Sequence, residues 1–122
     1  IGTFRTPFKA AWHPLMGCWG QYCTQITGNY LFHSSPYNSP NKNDLSYRLY
    51  NQLGTVCSHG CVRLTVADAK WIYDNCPLGT TVSIYNASSL PVPKPSAPWL
   101  DISSPNRGWD PTDPDPANPW NK

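Results

Sequence analysis

Glutamate is missing from this 122-residue chain: all seven acidic side chains are aspartates. Any mechanism built on a Glu base or a Glu metal ligand is thereby excluded. No apolar run approaches the roughly eighteen residues that a membrane span requires, and no cationic start leads into an apolar secretion core. Charge is sparse as well, at 13% of residues with a net +2, and Lys and Arg form no cluster. Nucleic acid is therefore not the expected partner. Internal repeats are absent.

Proline and charge are distributed unevenly. Nine of the fourteen prolines lie between Pro91 and Pro119, and residues 1–100 carry a net +4 against a net −2 for residues 101–122. These shifts divide the chain into a body over residues 1–90, the usual size of one domain, and a Pro-rich extension over residues 91–122. Composition alone would make the extension a semi-rigid linker. It nevertheless holds Trp99, Trp109 and Trp120 with Leu100 and Ile102, more apolar surface than a solvated linker uses. The extension is expected to lie along the body, with Trp99 and Trp109 in apolar grooves.

Within the body, Ile1–Phe4 reads as the end of a strand. Residues 6–23 mix prolines, glycines and tryptophans without a clean period, as in a long loop or broken hairpin. Gly28-Asn29 is a hairpin-like turn signal leading into a strand over Tyr30–His33. Leu45, Leu49 and Leu53, four apart, predict a short helix over Asp44–Leu53. Thr55–Leu64 alternates like a strand broken at Gly60. Thr65, with Asp68 three residues on, is a helix-start signature. Ala69, Ile72, Tyr73 and Cys76 form the apolar face of that helix, and Pro77 with Gly79 ends it. Thr81–Tyr85 reads as a closing strand. The pattern predicts a mainly β domain with one or two short helices.

Chemistry concentrates in Ser58-His59-Gly60-Cys61. Five cysteines leave one over if the others pair. A cysteine beside a glycine, between a strand and a helix start, can expose its sulfur and present backbone N–H groups to a reacting carbonyl oxygen. An ordinary thiol, with a pKa of about 8.5, is mostly protonated at neutral pH and needs a base nearby. His33 ends a strand, and His59 shares a side of an extended chain with Cys61. His13 reads as a surface residue. The plainer alternatives are an inert buried cysteine and a hydrogen-bonded structural histidine. A metal site formed by Cys57, His59, Cys61 and Cys76 is a further alternative. The first three span about 13 Å of extended chain, so they would need a sharp bend at Gly60 to reach one ion.

Ser58-His59-Gly60-Cys61-Val62-Arg63-Leu64 resembles the S-H-G-C-[hydrophobic]-[R/N] signature of L,D-transpeptidase catalytic domains of the YkuD type. Ile1-Gly2-Thr3-Phe4 is similar to the second half of that family's T-P-x-G-x-F segment, and Phe32-His33-Ser34 to its strand-end histidine motif. Asp68–Tyr73 and Gly79–Tyr85 resemble its helix and closing strand. The resemblance implies a YkuD-like β-sandwich whose N-terminal strands are missing from residues 1–122, so that a larger parent or a companion chain would supply them. Twenty-five residues separate His33 from His59, more than relatives use, which implies an inserted helix near the cleft.

By the same resemblance, Cys61 is the nucleophile and His33 its base, and Ser34 orients His33 through a backbone carbonyl. Backbone N–H groups of His59, Gly60 and Cys61 line the oxyanion hole. Arg63, Ser58 and Trp12 are substrate-side residues, with Trp12 on a flap over the cleft. The implied reaction is acyl transfer between peptidoglycan stem peptides. A donor tetrapeptide loses D-alanine to give a thioester, which an acceptor amine resolves into a 3→3 cross-link. Neither metal nor organic cofactor is required. Water in place of the amine would make the same site an L,D-carboxypeptidase, and a non-catalytic wall-binding module is the alternative from another class. The substrate implies an extracytoplasmic location, where disulfides among Cys18, Cys23, Cys57 and Cys76 are permitted, Cys57–Cys76 being the first to test.

Overall fold

The computed structural model describes residues 2–15, 17–28, 30–53, 61–84 and 97–121. Strand β1 (Gly2–Arg5) pairs antiparallel with β6 (Thr81–Ile84) in a two-stranded sheet. A second sheet has the order β2 (Lys9–Pro14), β3 (Trp19–Thr27), β4 (Tyr30–Ser34), β5 (Val62–Leu64). Its first three strands are an antiparallel meander, and β5 lies parallel to β4. Parallel neighbours require a crossover, and this one carries the single-turn helix α1 (Tyr47–Tyr50). Helix α2 (Val66–Asn75) follows β5 after one residue and packs on β3 and β4. The domain is mainly β with two short helices, as the patterning predicts. Among the described residues no helix is long and apolar enough to cross a membrane.

Of the long loop and the broken hairpin that the sequence allows for residues 6–23, the structure has the hairpin: β2 and β3 pair from Lys9↔Thr24 to Pro14↔Trp19, and Gly28 at φ +51° turns the chain into β4 at a cost that a side chain would raise. Trp12 lies in strand β2 of this hairpin, with its ring edge-on to Tyr37 at 5.0 Å. The helix foreseen over Asp44–Leu53 shrinks to four residues, because Ser46 gives no side-chain cap and Leu45 N–H bonds to Gly108 O at 2.8 Å. So short a helix cannot offset its own nucleation and is held by packing.

The core joins the crossover, α2 and the extension. Tyr37, Leu45, Tyr50, Val66 and Leu100 are buried together, with Trp12, Trp19 and Trp120 against them. Tyr50 OH donates to Pro98 O at 2.8 Å. Asn51 exchanges two bonds with the Leu100 backbone, at 2.8 and 3.0 Å, and Lys42 pairs with Asp115 at 2.7 Å. The expectation that Trp99 fills a groove fails: it is 78% exposed. Successive residues of extended chain face opposite ways, so turning Leu100 inward turns Trp99 outward. Trp109 is half-buried, and Trp120 reaches Asn106 O through its indole N–H at 2.9 Å.

Contrary to the expectation that the chain holds no internal repeat, order in the extension comes from a short (Asp/Asn)-Pro-x turn used four times. The side-chain oxygens of Asp110, Asp113, Asp115 and Asn118 each accept the N–H two residues on, at 2.7, 3.0, 2.9 and 3.1 Å. The intervening proline presets φ and has no N–H to satisfy. The first of these turns also caps α2. Val66 N–H donates to Asp110 Oδ2 and Ala67 N–H to Thr112 Oγ1, each at 3.0 Å, while Thr65 Oγ1 accepts from Asp68 N–H as its sequence context predicts. Three donors that a helix start leaves orphaned are thus satisfied, two of them by residues more than forty positions away. Burial raises the Asp110 carboxyl, against the bonds from Thr112 and Val66.

Asp110→Ala should lower unfolding free energy by roughly 2–3 kcal/mol, the cost of a lost cap plus buried unsatisfied N–H groups. Asp110→Asn, which keeps one of the two acceptor oxygens and sets an NH2 against the other N–H, should lose less than Asp110→Ala but remain below wild type. Urea unfolding of the three proteins measures both, and wild-type stability in Asp110→Ala would show that the extension does not support α2.

Candidate active site

Two adjacent strand segments carry the candidate residues. In the parallel β4–β5 pair, His33 stands opposite Arg63 and Ser34 opposite Leu64. Cys61 lies one residue before β5 and two before Arg63, so the alternation of extended chain directs it to the side that His33 and Arg63 share. The electrostatics agree with this placement. Cys61 is close enough to raise the thiols of both Cys18 and Cys23, and Arg63 close enough to lower that of Cys18.

His33 is 1% exposed. Its Nδ1 lies 2.5 Å from the Ser34 carbonyl oxygen. A carbonyl only accepts, so Nδ1 carries the proton and Nε2 keeps its lone pair. Burial holds the imidazole below its ordinary range, with Arg63 and His13 acting in the same direction and the Ser34 carbonyl opposing them. At neutral pH the ring is an uncharged base with a defined tautomer. Ser34 is itself pinned, because its hydroxyl accepts from Gln21 N–H and donates to Ser35 O, both at 2.9 Å.

Cys23 is fully buried. Burial, and then the neighbouring Cys61, push its thiol up to about 12, so it packs beside the site without competing as a nucleophile. Gly20 lies against it: a Cβ there would come within 2.9 Å of Cys23 Sγ and 3.1 Å of His33 Cβ. Cys23, a disulfide candidate by sequence, is a free buried thiol, and no periodicity in residues 6–23 marks Gly20 and Cys23 as sharing a face with His33. His13, read as a surface residue in a loop, is half-buried in β2 and within electrostatic reach of His33.

The structure places His33 and Ser34 on β4, Arg63 opposite His33 on β5 and Cys61 one residue before β5. Trp12 is placed instead against Tyr37 at the edge of the core. Ser58, His59 and Gly60 lie outside the described residues, as does Cys57, the suggested disulfide partner of Cys76 and a member of the alternative metal set. Cys76 itself is a thiol at the C-terminus of α2. Among the described residues no three His, Cys or Asp side chains are grouped to hold a metal ion.

The buried neutral His33 has a consequence for stability. Its native pKa is depressed, so the unfolded chain binds the proton more tightly. Stability from this source is full above about pH 6.5, the ordinary imidazole value, and is lost as pH falls below it. The raised carboxyls of Asp110 and Asp113 act with the opposite sign, so the informative comparison is with a variant. His33→Gln should flatten the fall of melting temperature between about pH 7 and pH 5. An unchanged slope would show that His33 is not held neutral.

Comparison with known proteins bears on the same residues. The L,D-transpeptidase catalytic domain family, YkuD, matches residues 2–84, from β1 through β6. The Bacillus subtilis (strain 168) protein named "Putative L,D-transpeptidase YciB" is 47% identical over 57 residues, which is 47% of this chain and 28% of that protein. A crystal structure from Clostridium acetobutylicum ATCC 824 shares 38% identity at a TM-score of 0.49, over 69% of this chain and 33% of that one. It is described as a fused Zn-dependent amidase/peptidase/peptidoglycan-binding domain-containing protein. The chain thus spans about a third or less of the length of either relative. With both sheets, α2 and the His33–Cys61 region inside the matched residues, the chain belongs to the L,D-transpeptidase catalytic domain (YkuD) family.

Proposed function

We propose that this domain catalyses acyl transfer between peptidoglycan stem peptides through a thioester on Cys61. His33 Nε2 would take the thiol proton, and the thiolate would attack the carbonyl of the third residue in a donor tetrapeptide. Collapse of the tetrahedral intermediate expels D-alanine, whose amine receives the proton back from His33. An acceptor amine then attacks the thioester with the same base assistance, leaving a 3→3 cross-link and a free thiol. No metal or organic cofactor is called on.

One observation carries this reading: a buried imidazole whose Nδ1 is committed to the Ser34 carbonyl, on the strand that pairs with the one Cys61 introduces. That arrangement leaves one basic nitrogen for one thiol. The oxyanion hole assigned by resemblance to the backbone N–H groups of His59, Gly60 and Cys61 would contribute about 3 kcal/mol per donor. Arg63 and Ser58 are the proposed contacts for the substrate's polar groups. The edge contact of Trp12 with Tyr37 favours a packing role for that ring over a substrate lid. A wall substrate implies that the domain acts outside the cytoplasmic membrane.

The test is incubation of the full chain with a disaccharide-tetrapeptide, with products read by mass. Cross-linked dimer with released D-alanine is the expected outcome, whereas tripeptide without dimer would make the protein an L,D-carboxypeptidase. Cys61→Ser should abolish both products, and His33→Ala should slow them by about a hundredfold or more. A carbapenem should add one adduct, at Cys61. Turnover that survives Cys61→Ser would overturn the mechanism.

A further inference from the structure

The β3–β4 ladder is open where the candidate base sits. Thr24↔Phe32 is paired, and pairing resumes at Trp19↔Tyr37, where each residue's N–H bonds the other's carbonyl at 2.8 Å. No residue between these two pairs is ladder-bonded across the strands, although all of them are described. Ser35 N–H donates to Leu64 O on β5 at 2.8 Å. Backbone groups of successive strand residues face opposite edges, so those of Ser34 face β3. In unbroken register the partner of Ser34 would be Tyr22.

Tyr22 does not take that position. Its φ is +52°, the one positive value among the described non-glycine residues, a conformation that bulky residues adopt only when their surroundings impose it. Its ring stands edge-on to Tyr73 at 5.4 Å, with Lys70 Nζ 5.8 Å from the ring centre. The kink leaves the Ser34 carbonyl to His33 Nδ1, and the Ser34 hydroxyl receives Gln21 N–H in place of a backbone acceptor. It also puts Gly20 and Cys23, three residues apart, on one face. A Cβ on Gly20 would meet Cys23 Sγ at 2.9 Å, closer than real Cβ contacts come, and His33 Cβ and Cγ at 3.1 and 3.2 Å, tight enough that the His33 side chain would have to shift by a few tenths of an ångström.

We propose that this opening in the β3–β4 ladder is the seat that holds the His33 imidazole toward Cys61, with Gly20, Tyr22 and the Ser34 hydroxyl as positioning residues. The proposal rests on the His33–Cys61 pairing of the preceding section. Gly20 supplies room for the ring, Tyr22 keeps the Ser34 carbonyl out of the ladder, and the Ser34 hydroxyl closes the gap that results. Arg63 and His13 are the charged neighbours whose fields reach the ring, and none of the proposed substitutions removes them.

The test is the pH dependence of Cys61 alkylation by iodoacetamide in the intact chain, with the modified cysteine located by peptide mass. Gly20→Ala should slow Cys61 modification at neutral pH by about tenfold or more and erase the inflection that His33→Ala also erases. Gly28→Ala is the control. That glycine also has a positive φ, but a Cβ there meets nothing within 4 Å, so it should lower the melting temperature and keep the wild-type profile. Tyr22→Gly, which suits φ +52°, should keep the inflection, and Tyr22→Val should lose it. Should Gly20→Ala fail to fold, Gly20→Ala with Cys23→Ala removes the nearest clash while the two His33 contacts remain, and it should still lack the inflection. A wild-type profile in Gly20→Ala or in the double variant would overturn the proposal while leaving the His33–Cys61 pairing intact. A wild-type profile in His33→Ala would overturn both.

Discussion

The carbonyl of Ser34 is the group on which the candidate site depends, because two partners compete for it. In a continuous sheet it would serve the ladder to β3, and His33 would have no local acceptor for Nδ1. The chain keeps it free by interrupting the ladder for a few residues between Trp19↔Tyr37 and Thr24↔Phe32. An interrupted ladder exposes backbone donors that must find other acceptors when buried. The Ser34 hydroxyl meets that need for Gln21 N–H. The tautomer of His33, and with it the availability of Nε2, thus follows from the way two strands fail to pair.

A second dependence runs through α2, which packs behind this opening on β3 and β4. Tyr73 of α2 contacts Tyr22, and Lys9 Nζ donates to Tyr73 O at 2.7 Å near the end of the helix. The start of α2 is capped from the extension by Asp110 and Thr112. The extension lies beyond the residues matched to the family, yet it contributes Leu100 to the core and acceptors to the helix that backs the site. Its repeated (Asp/Asn)-Pro-x turns suit this task. They order the chain with short side-chain bonds and with prolines that have less freedom to lose, and so need neither helix nor sheet.

Much of this was legible in the sequence, for local reasons. Thr65 and Asp68 announce the start of α2 because capping is read within four residues. Gly28-Asn29 marks the β3–β4 turn because few residues tolerate positive φ. Gly60-Cys61 between a strand and a helix start, with a histidine at the end of another strand, directs attention to a thiol and its base. What was not legible involves partners far apart. Pro7, Pro14 and Gly17 left a loop and a broken hairpin equally open for residues 6–23, since strand pairing across the turn is set by the opposite strand. Trp99 and Trp120 look alike by residue type, and only tertiary contacts separate them: Leu100 docks and leaves Trp99 outward, while Trp120 packs on the core and bonds to Asn106 O.

The sequence by itself determined the secondary-structure alphabet, the mainly β class and the identity of the candidate site residues, since each depends on residue type and near-neighbour spacing. The tertiary structure decided which of those side chains meet. A parallel register across a crossover of nearly thirty residues sets His33 opposite Arg63, two residues on from Cys61, and no local pattern encodes such a register. Gly20 became a steric requirement only once β3 was kinked and folded against His33, because a Cβ there would meet Cys23 Sγ across the kink and two ring-side atoms of a residue thirteen positions away. Asp110 became a helix cap only once the extension had closed over the start of α2. In each case a short-range rule names what a residue can do, and long-range packing selects the partner with which it does it.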